Sequence, residues 1–179
     1  MIHLKAIVTG RPGSGKSTVV SRACDELQRR GWRIGGVVCP EVRVQGERVG
    51  FEIIDLMTGE RGTLAGVEPS SGPPIGKYYV NINDLKGVGV RAVRRALDRA
   101  DLIVIDEVGP MEMKSRAFQD CIREAFRSTK NMIAVVHWTM VLRFSSEYKD
   151  ARVFEVTLDS RDFVVEEVVS LFEGSVKKP

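Results

Sequence analysis

Cysteine is scarce in this chain. Cys24, Cys39 and Cys121 are widely spaced and odd in number, which speaks against a disulfide framework or a zinc site and for a reducing compartment, the cytoplasm. Long apolar runs are missing: nothing approaches the ~20 residues of a membrane span. An apolar strand begins almost at the N-terminus and leaves no room for a signal peptide. A charge excess is missing too. Twenty-seven basic against 24 acidic residues give a net charge of +3, too little to demand nucleic acid as a partner. Internal repeats and low-complexity segments are also absent. The remaining composition, 43% hydrophobic and 28% charged over 179 residues, is that of one soluble domain, expected over 1–173. A polar tail at 174–179 is expected to fray, and a monomer is expected.

Against this plain background one stretch stands out. Gly10-Arg11-Pro12-Gly13-Ser14-Gly15-Lys16-Ser17 fits the pattern of Gly, four free residues, then Gly-Lys-Ser/Thr. A triphosphate is a dense cluster of anionic oxygens, and a loop that wraps it must turn several backbone N–H groups inward. Gly10, Gly13 and Gly15 reach the required dihedrals cheaply. Lys16 supplies a point charge for the β- and γ-phosphates, and the Ser17 hydroxyl is a hard oxygen ligand for Mg²⁺. The flanks agree. Met1 to Val8 reads as a strand, while Val19, Val20, Ala23, Cys24 and Leu27 recur at helical spacing up to a stop at Gly31. The positive end of that helix faces the anion. Chance produces the pattern in roughly one chain in a hundred or fewer of this length.

Further along, Ile34 to Val38 reads as a strand. Val42 and Val44, a turn at Gln45-Gly46-Glu47, then Val49, Phe51 and Ile53 alternate as an antiparallel meander, continued at Arg61 to Leu64 after a turn at Thr58-Gly59. Gly66 to Lys77 reads as a long loop, either a flap over a nucleotide or a plain surface connection. Tyr78 to Asn81 is extended, and Asn83 or Asp84 is expected to cap a helix reaching Arg99. On that helix Arg91, Arg94, Arg95 and Arg99 share a face that either touches phosphates or is simply solvated, opposite Val90, Val93 and Leu97. Ser115 caps a helix carrying Phe118, Cys121, Ile122, Ala125 and Phe126; Met132 to Val136 and Val153 to Val156 are strands; Arg161 to Phe172 is a helix. Strands alternating with helices predict a three-layer α/β fold, a mostly parallel sheet with antiparallel hairpins added at the edge.

Leu102-Ile103-Val104-Ile105 has the unbroken apolar character of a central parallel strand, and it ends in Asp106-Glu107. Ligands of parallel sheets bind at carboxyl ends of strands, so both acids are expected at the phosphate loop. Asp106 joins Ser17 as a Mg²⁺ partner, and Glu107 orients the attacking water. Glu112, beyond Gly109-Pro110, is a weaker acid candidate. His137 either senses the γ-phosphate or is structural. Arg11, Arg143 and Arg161 are weaker candidates for charge near the transferred phosphate. Trp138 and Phe144 either stack on a base or pack in the core.

The chain resembles the small P-loop nucleoside-triphosphatases of the thermophile type, which have bacterial, archaeal and animal relatives, the animal ones cancer-related. The likeness rests on Thr9 to Thr18, on Gly35-Gly36-Val37 with Glu41-Val42-Arg43 and Arg48-Val49-Gly50-Phe51, on Gly76 to Asn81, and on Ile105-Asp106-Glu107-Val108-Gly109-Pro110-Met111-Glu112. It covers Met1 to about Phe172. The resemblance implies a RecA-like P-loop fold and Mg²⁺-dependent hydrolysis of ATP, GTP and other triphosphates. It also implies nucleotide contacts from the Walker A residues Gly10, Arg11, Pro12, Gly13, Ser14, Gly15, Lys16, Ser17 and Thr18. On the Walker B side it implies Leu102, Ile103, Val104, Ile105, Asp106, Glu107, Val108 and Gly109. Where relatives often carry Asn-Arg near the last helix, this chain has Ser160-Arg161. Lys16 and Glu107 are the expected catalytic residues. Two other functions share the first motif: a kinase for a small molecule or a nucleic acid end, and a nucleotide-gated, RNA-associated switch.

Overall fold

The computed structural model describes residues 3–173; Met1, Ile2 and the tail expected at 174–179 lie outside the described residues. Ten strands make one sheet: β1 (Lys5–Thr9), β2 (Ile34–Val38), β3 (Glu41–Val44), β4 (Glu47–Asp55), β5 (Arg61–Gly66), β6 (Pro74–Ile75), β7 (Tyr78–Val80), β8 (Leu102–Val108), β9 (Asn131–Val136) and β10 (Ala151–Glu155). The helices are α1 (Lys16–Arg29), α2 (Ile82–Asp84), α3 (Arg91–Arg99), α4 (Arg116–Arg127), α5 (Val141–Glu147) and α6 (Arg161–Glu173), with a π-helical stretch, Leu85–Val90, joining α2 to α3. The order β10-β1-β9-β8-β2 is parallel throughout; β4-β5-β7-β6 continues it antiparallel, and β3 pairs with β4.

Two apolar layers sandwich the parallel half. Leu102 and Val104 face one side with Val19, Val20, Ala23 and Leu27 of α1 and Val164, Val168 and Phe172 of α6. Ile103 and Ile105 face the other, with Val93 and Ala96 of α3 and Phe118, Ile122 and Ala125 of α4. All four β8 side chains are 0% exposed, so an alternating pair on each face explains the unbroken apolar run. These are the three layers expected.

Most element boundaries match the sequence pattern, and the exceptions are local. Asn81, not Asn83 or Asp84, caps the helix at Ile82, its side chain accepting from Asp84 N–H at 3.0 Å. The Asp84 carboxylate instead accepts the Thr63 N–H of β5 at 2.8 Å. Gly66 to Lys77 contains β6, and five strands lie between β1 and β7. The stretch closes the sheet's outer edge, in keeping with a surface connection. β4 reaches β2 only at Ile54 and Asp55, so its earlier residues and β3 continue past the carboxyl end of β2 as a projecting hairpin. Glu41 braces it, bonding Arg43 Nε at 2.7 Å and Arg48 at 3.4 Å. Three of the four arginines of α3 form ion pairs: Arg91 meets Glu60, Arg95 meets the buried Asp55, and Arg99 meets Asp98.

Candidate active site

The loop between β1 and α1 opens at the carboxyl edge of the sheet. Thr9 anchors its first end, donating Oγ1 to Val136 O at 2.9 Å. The Ser14 N–H donates to Arg11 O at 3.1 Å and closes the turn. Gly15 precedes the helix in a left-handed conformation (φ +95°), where a Cβ would meet Arg161 Cδ at 2.6 Å. Arg161, the first residue of α6, therefore lies against the phosphate loop. Val156, just past β10, also abuts it: its carbonyl oxygen is 2.5 Å from the position a Gly10 Cβ would take. Ser14 is 7% exposed and its hydroxyl finds no partner. A buried, unsatisfied hydroxyl in a cradle of backbone N–H groups fits an anionic ligand.

Asp106 and Glu107 present a problem that alternation alone cannot solve. Consecutive strand residues point to opposite faces. The β8–β9 ladder slips here: Asp106 pairs with Val135 and Val108 with Val136, leaving Glu107 as the extra residue of a bulge. Bulges re-aim side chains, and both acids end up under the influence of Lys16. Asp106 is buried and hydrogen-bonded by Ser17; burial pushes its carboxyl up to about 6, against the pull of Ser17 and Lys16. Burial also raises Glu107, with Lys16 opposing. His137, whose N–H donates to Val108 O at 2.9 Å, is lowered by burial and then by Lys16. Lys16 thus acts electrostatically on Asp106, Glu107 and His137, while its Nζ rests on Arg11 O at 3.1 Å.

The structure brings together the loop, Ser17, Asp106, Glu107, His137 and Arg161. It leaves others out. Leu102, Ile103, Val104 and Ile105 are buried within β8, and Asp106 and Glu107 follow them at its carboxyl end. Arg143 lines a crevice with Met113, Ile122 and Tyr148. Phe144 is core, packed on Phe126 and Tyr148. Trp138 is half exposed and tilted beside His137. A concavity of about 640 Å³ between α1 and α6 is lined by side chains of both charges, including Arg22, Asp25, Arg29 and Glu166, along the flank of α1 away from the acids. Cys39 escaped the sequence reading. It follows β2, beside the Asp106 register position of Val38, and accepts a hydrogen bond from the Glu107 backbone; burial and the nearby acids hold its thiol well above the usual range. Parallel register was the signal that could have found it.

A family model described as "NTPase" matches residues 5–169. The chain belongs to the NTPase family. Within it, the chain is 46% identical over 168 residues to the nucleoside-triphosphatase THEP1 of Methanothermobacter thermautotrophicus, covering 94% of this chain and 95% of that one. It is 43% identical over 162 residues to the THEP1 of Thermofilum pendens, 88% and 89% covered. Two solved structures share the NTPase fold. The crystal structure of THEP1 from Aquifex aeolicus gives a TM-score of 0.82 at 30% identity, with 95% and 99% covered. The solution structure of a human cancer-related nucleoside triphosphatase gives 0.81 at 28%, with 97% and 100% covered.

Proposed function

We propose that this NTPase-family protein hydrolyses nucleoside triphosphates to diphosphate and phosphate with Mg²⁺. The observation that carries the reading is the convergence of Lys16, a hydroxyl–carboxylate pair (Ser17 with Asp106) and a second carboxylate (Glu107) at one edge of the sheet. Phosphoryl transfer asks little covalent chemistry of the protein, and positioning and charge stabilisation do most of the work. The backbone N–H groups of Gly13 and of Gly15 to Thr18 cradle the β- and γ-phosphates, and Lys16 offsets their charge. Glu107 accepts a hydrogen bond from the attacking water and aims it in line with the bond to the β-phosphate. Water oxygen bonds to the γ-phosphorus as that bond breaks, the electron pair leaves on the diphosphate, and the proton the water gives up passes to Glu107 or a phosphate oxygen and on to solvent.

Ser17 and Asp106 fit Mg²⁺. Among the described residues no group of three or more His, Cys, Asp or Glu could hold a metal by itself, but Mg²⁺ in nucleotide sites takes one or two protein oxygens and completes its shell with phosphate and water. Bound there, the ion would neutralise charge on the β- and γ-oxygens. His137 and Arg161 are auxiliary: the first lies near Lys16, the second on Gly15. Relatives named nucleoside-triphosphatase without a base prefix support broad use of ATP, GTP and other triphosphates. No described helix is long and apolar enough to cross a membrane, and the scarce, unpaired cysteines support a cytoplasmic site of action.

The test is phosphate release from ATP, GTP, CTP and UTP with and without Mg²⁺, alongside Asp106→Asn. Release from several triphosphates, lost on chelation and strongly reduced in the variant, supports the reading. Triphosphate consumption that needs an added acceptor and yields no free phosphate, or phosphate release that survives chelation, overturns it.

A further inference from the structure

Glu112 is the least expected acid of the site. It is 4% exposed, and the leading groups that ease its burial are two backbone N–H donors, its own and that of Gly109. The Gly109 N–H donates to Glu112 Oε2 at 3.1 Å. One residue on, the Met113 N–H donates to Gly109 O at 3.1 Å. Both polar groups of Gly109 are therefore held by the turn that follows β8. On its open side Gly109 meets Glu107: a Cβ there would lie 2.9 Å from Glu107 Oε1 and 3.1 Å from Glu112 Oε2. Both acids lie against the one glycine, their oxygens within about 6 Å of each other.

From this geometry we infer that Glu112 is a positioning residue for Glu107, acting through Gly109. It fixes the Gly109 N–H, Gly109 forms the wall on which the Glu107 side chain rests, and the wall sets where the Glu107 carboxylate points. This rests on the role given to Glu107 above. The bond needs an acceptor oxygen, not a charge. Burial and the neighbouring Glu107 raise the Glu112 carboxyl to about 8, so near neutral pH it is largely a protonated acid accepting through one oxygen. A carboxamide has the same shape and the same acceptor. A reacting group misplaced by about 1 Å loses on the order of a hundredfold in rate.

The experiment measures kcat, nucleotide affinity and melting temperature for Glu112→Gln, Glu112→Ala, Gly109→Ala and, as reference, Glu107→Gln. Expected are a kcat within threefold of the parent for Glu112→Gln and a fall of about ten- to a hundredfold for Glu112→Ala, with affinity unchanged in both. Gly109→Ala keeps both carboxyls but puts a carbon 2.9 Å from Glu107 Oε1 and 3.1 Å from Glu112 Oε2, disturbing the wall itself, so it loses kcat in the same range and keeps the readout if Glu112→Ala does not fold. Parental kcat in Glu112→Ala or Gly109→Ala while Glu107→Gln is inactive overturns the inference alone. So does a Glu112→Gln as impaired as Glu112→Ala, which would mean the carboxyl itself is needed. An active Glu107→Gln removes the reading beneath it.

Discussion

Gly36 sits in β2 opposite Val104 of β8, at φ +120°. Replacing it by alanine adds a methyl group where there is no room. The new Cβ would overlap the Val104 carbonyl oxygen and lie 2.9 Å from its carbonyl carbon and 3.0 Å from its nitrogen. These are backbone atoms of the central strand, so no side chain can swing aside. The dihedral alone costs a non-glycine residue about 1–3 kcal/mol. Relief requires β2 to move off β8, which weakens two or three ladder hydrogen bonds at about 1 kcal/mol each. The sum, about 3–6 kcal/mol, is a large part of the ~5–15 kcal/mol that holds a domain together. At ~2–4 °C per kcal/mol for a chain of this size, Gly36→Ala should melt roughly 6–24 °C below the parent. The assay is thermal unfolding followed by circular dichroism, without nucleotide, at one pH. Gly46→Ala is the control: φ is +84° but nothing lies within 4 Å of the added carbon, so it carries dihedral strain without collision. A Gly36→Ala variant that melts within 3 °C of the parent, or above Gly46→Ala, would refute the reasoning, since about 3 kcal/mol must appear somewhere.

Other consequences are more modest. Lys16→Ala should weaken triphosphate binding by at least tenfold, read by titration calorimetry, because the loop loses the cation that faces the phosphates. Asp55 is 1% exposed, pairs with Arg95 and accepts from Met57 N–H at 2.8 Å; Asp55→Ala should destabilise by about 1–3 kcal/mol in a denaturant titration, leaving turn donors unsatisfied. The raised carboxyls of Asp106, about 6, and Glu112, about 8, give the nucleotide-free protein a pH signature. A folded state that binds more protons than the unfolded one loses stability as pH rises. Melting temperature should therefore fall from about pH 4.5 toward pH 8, and Glu112→Gln should flatten the upper part of that fall. A rise across the same window in the parent would contradict the assignments.

The parallel half of the fold was legible because its signals are local. Four buried residues in a row mark β8, heptad-like spacing marks α1 and α4, and the glycine loop announces its own ligand. The acids were legible for a second reason: carboxyl ends of parallel strands share one edge. What stayed hidden depends on register. The bulge at Glu107, beside which Lys16 acts on both Asp106 and Glu107, has no local signature, since Glu107 looks like any alternating residue until β9 is laid beside it. Cys39 reaches the site through the pairing of β2 with β8, whereas Glu112, named from the sequence as a weaker acid candidate, reaches it through the local turn at Gly109. The helix start lies two or three residues before the expected cap, because Asn81, Asn83 and Asp84 are all good caps; Asn81 takes the role, and the Asp84 carboxylate is occupied by the Thr63 N–H. The Glu-Val-Arg stretch supports the family resemblance, yet its charged ends brace the projecting hairpin on itself.

The central claim is that Glu107 does its work on the attacking water and not on the nucleotide. Single-turnover phosphate release from a bound triphosphate, measured for Glu107→Gln beside its nucleotide affinity, separates the two. The account predicts affinity within a few-fold of the parent and release slower by at least about a hundredfold, the usual contribution of a group that handles the nucleophile. Unchanged release, or affinity lost in step with rate, would contradict it.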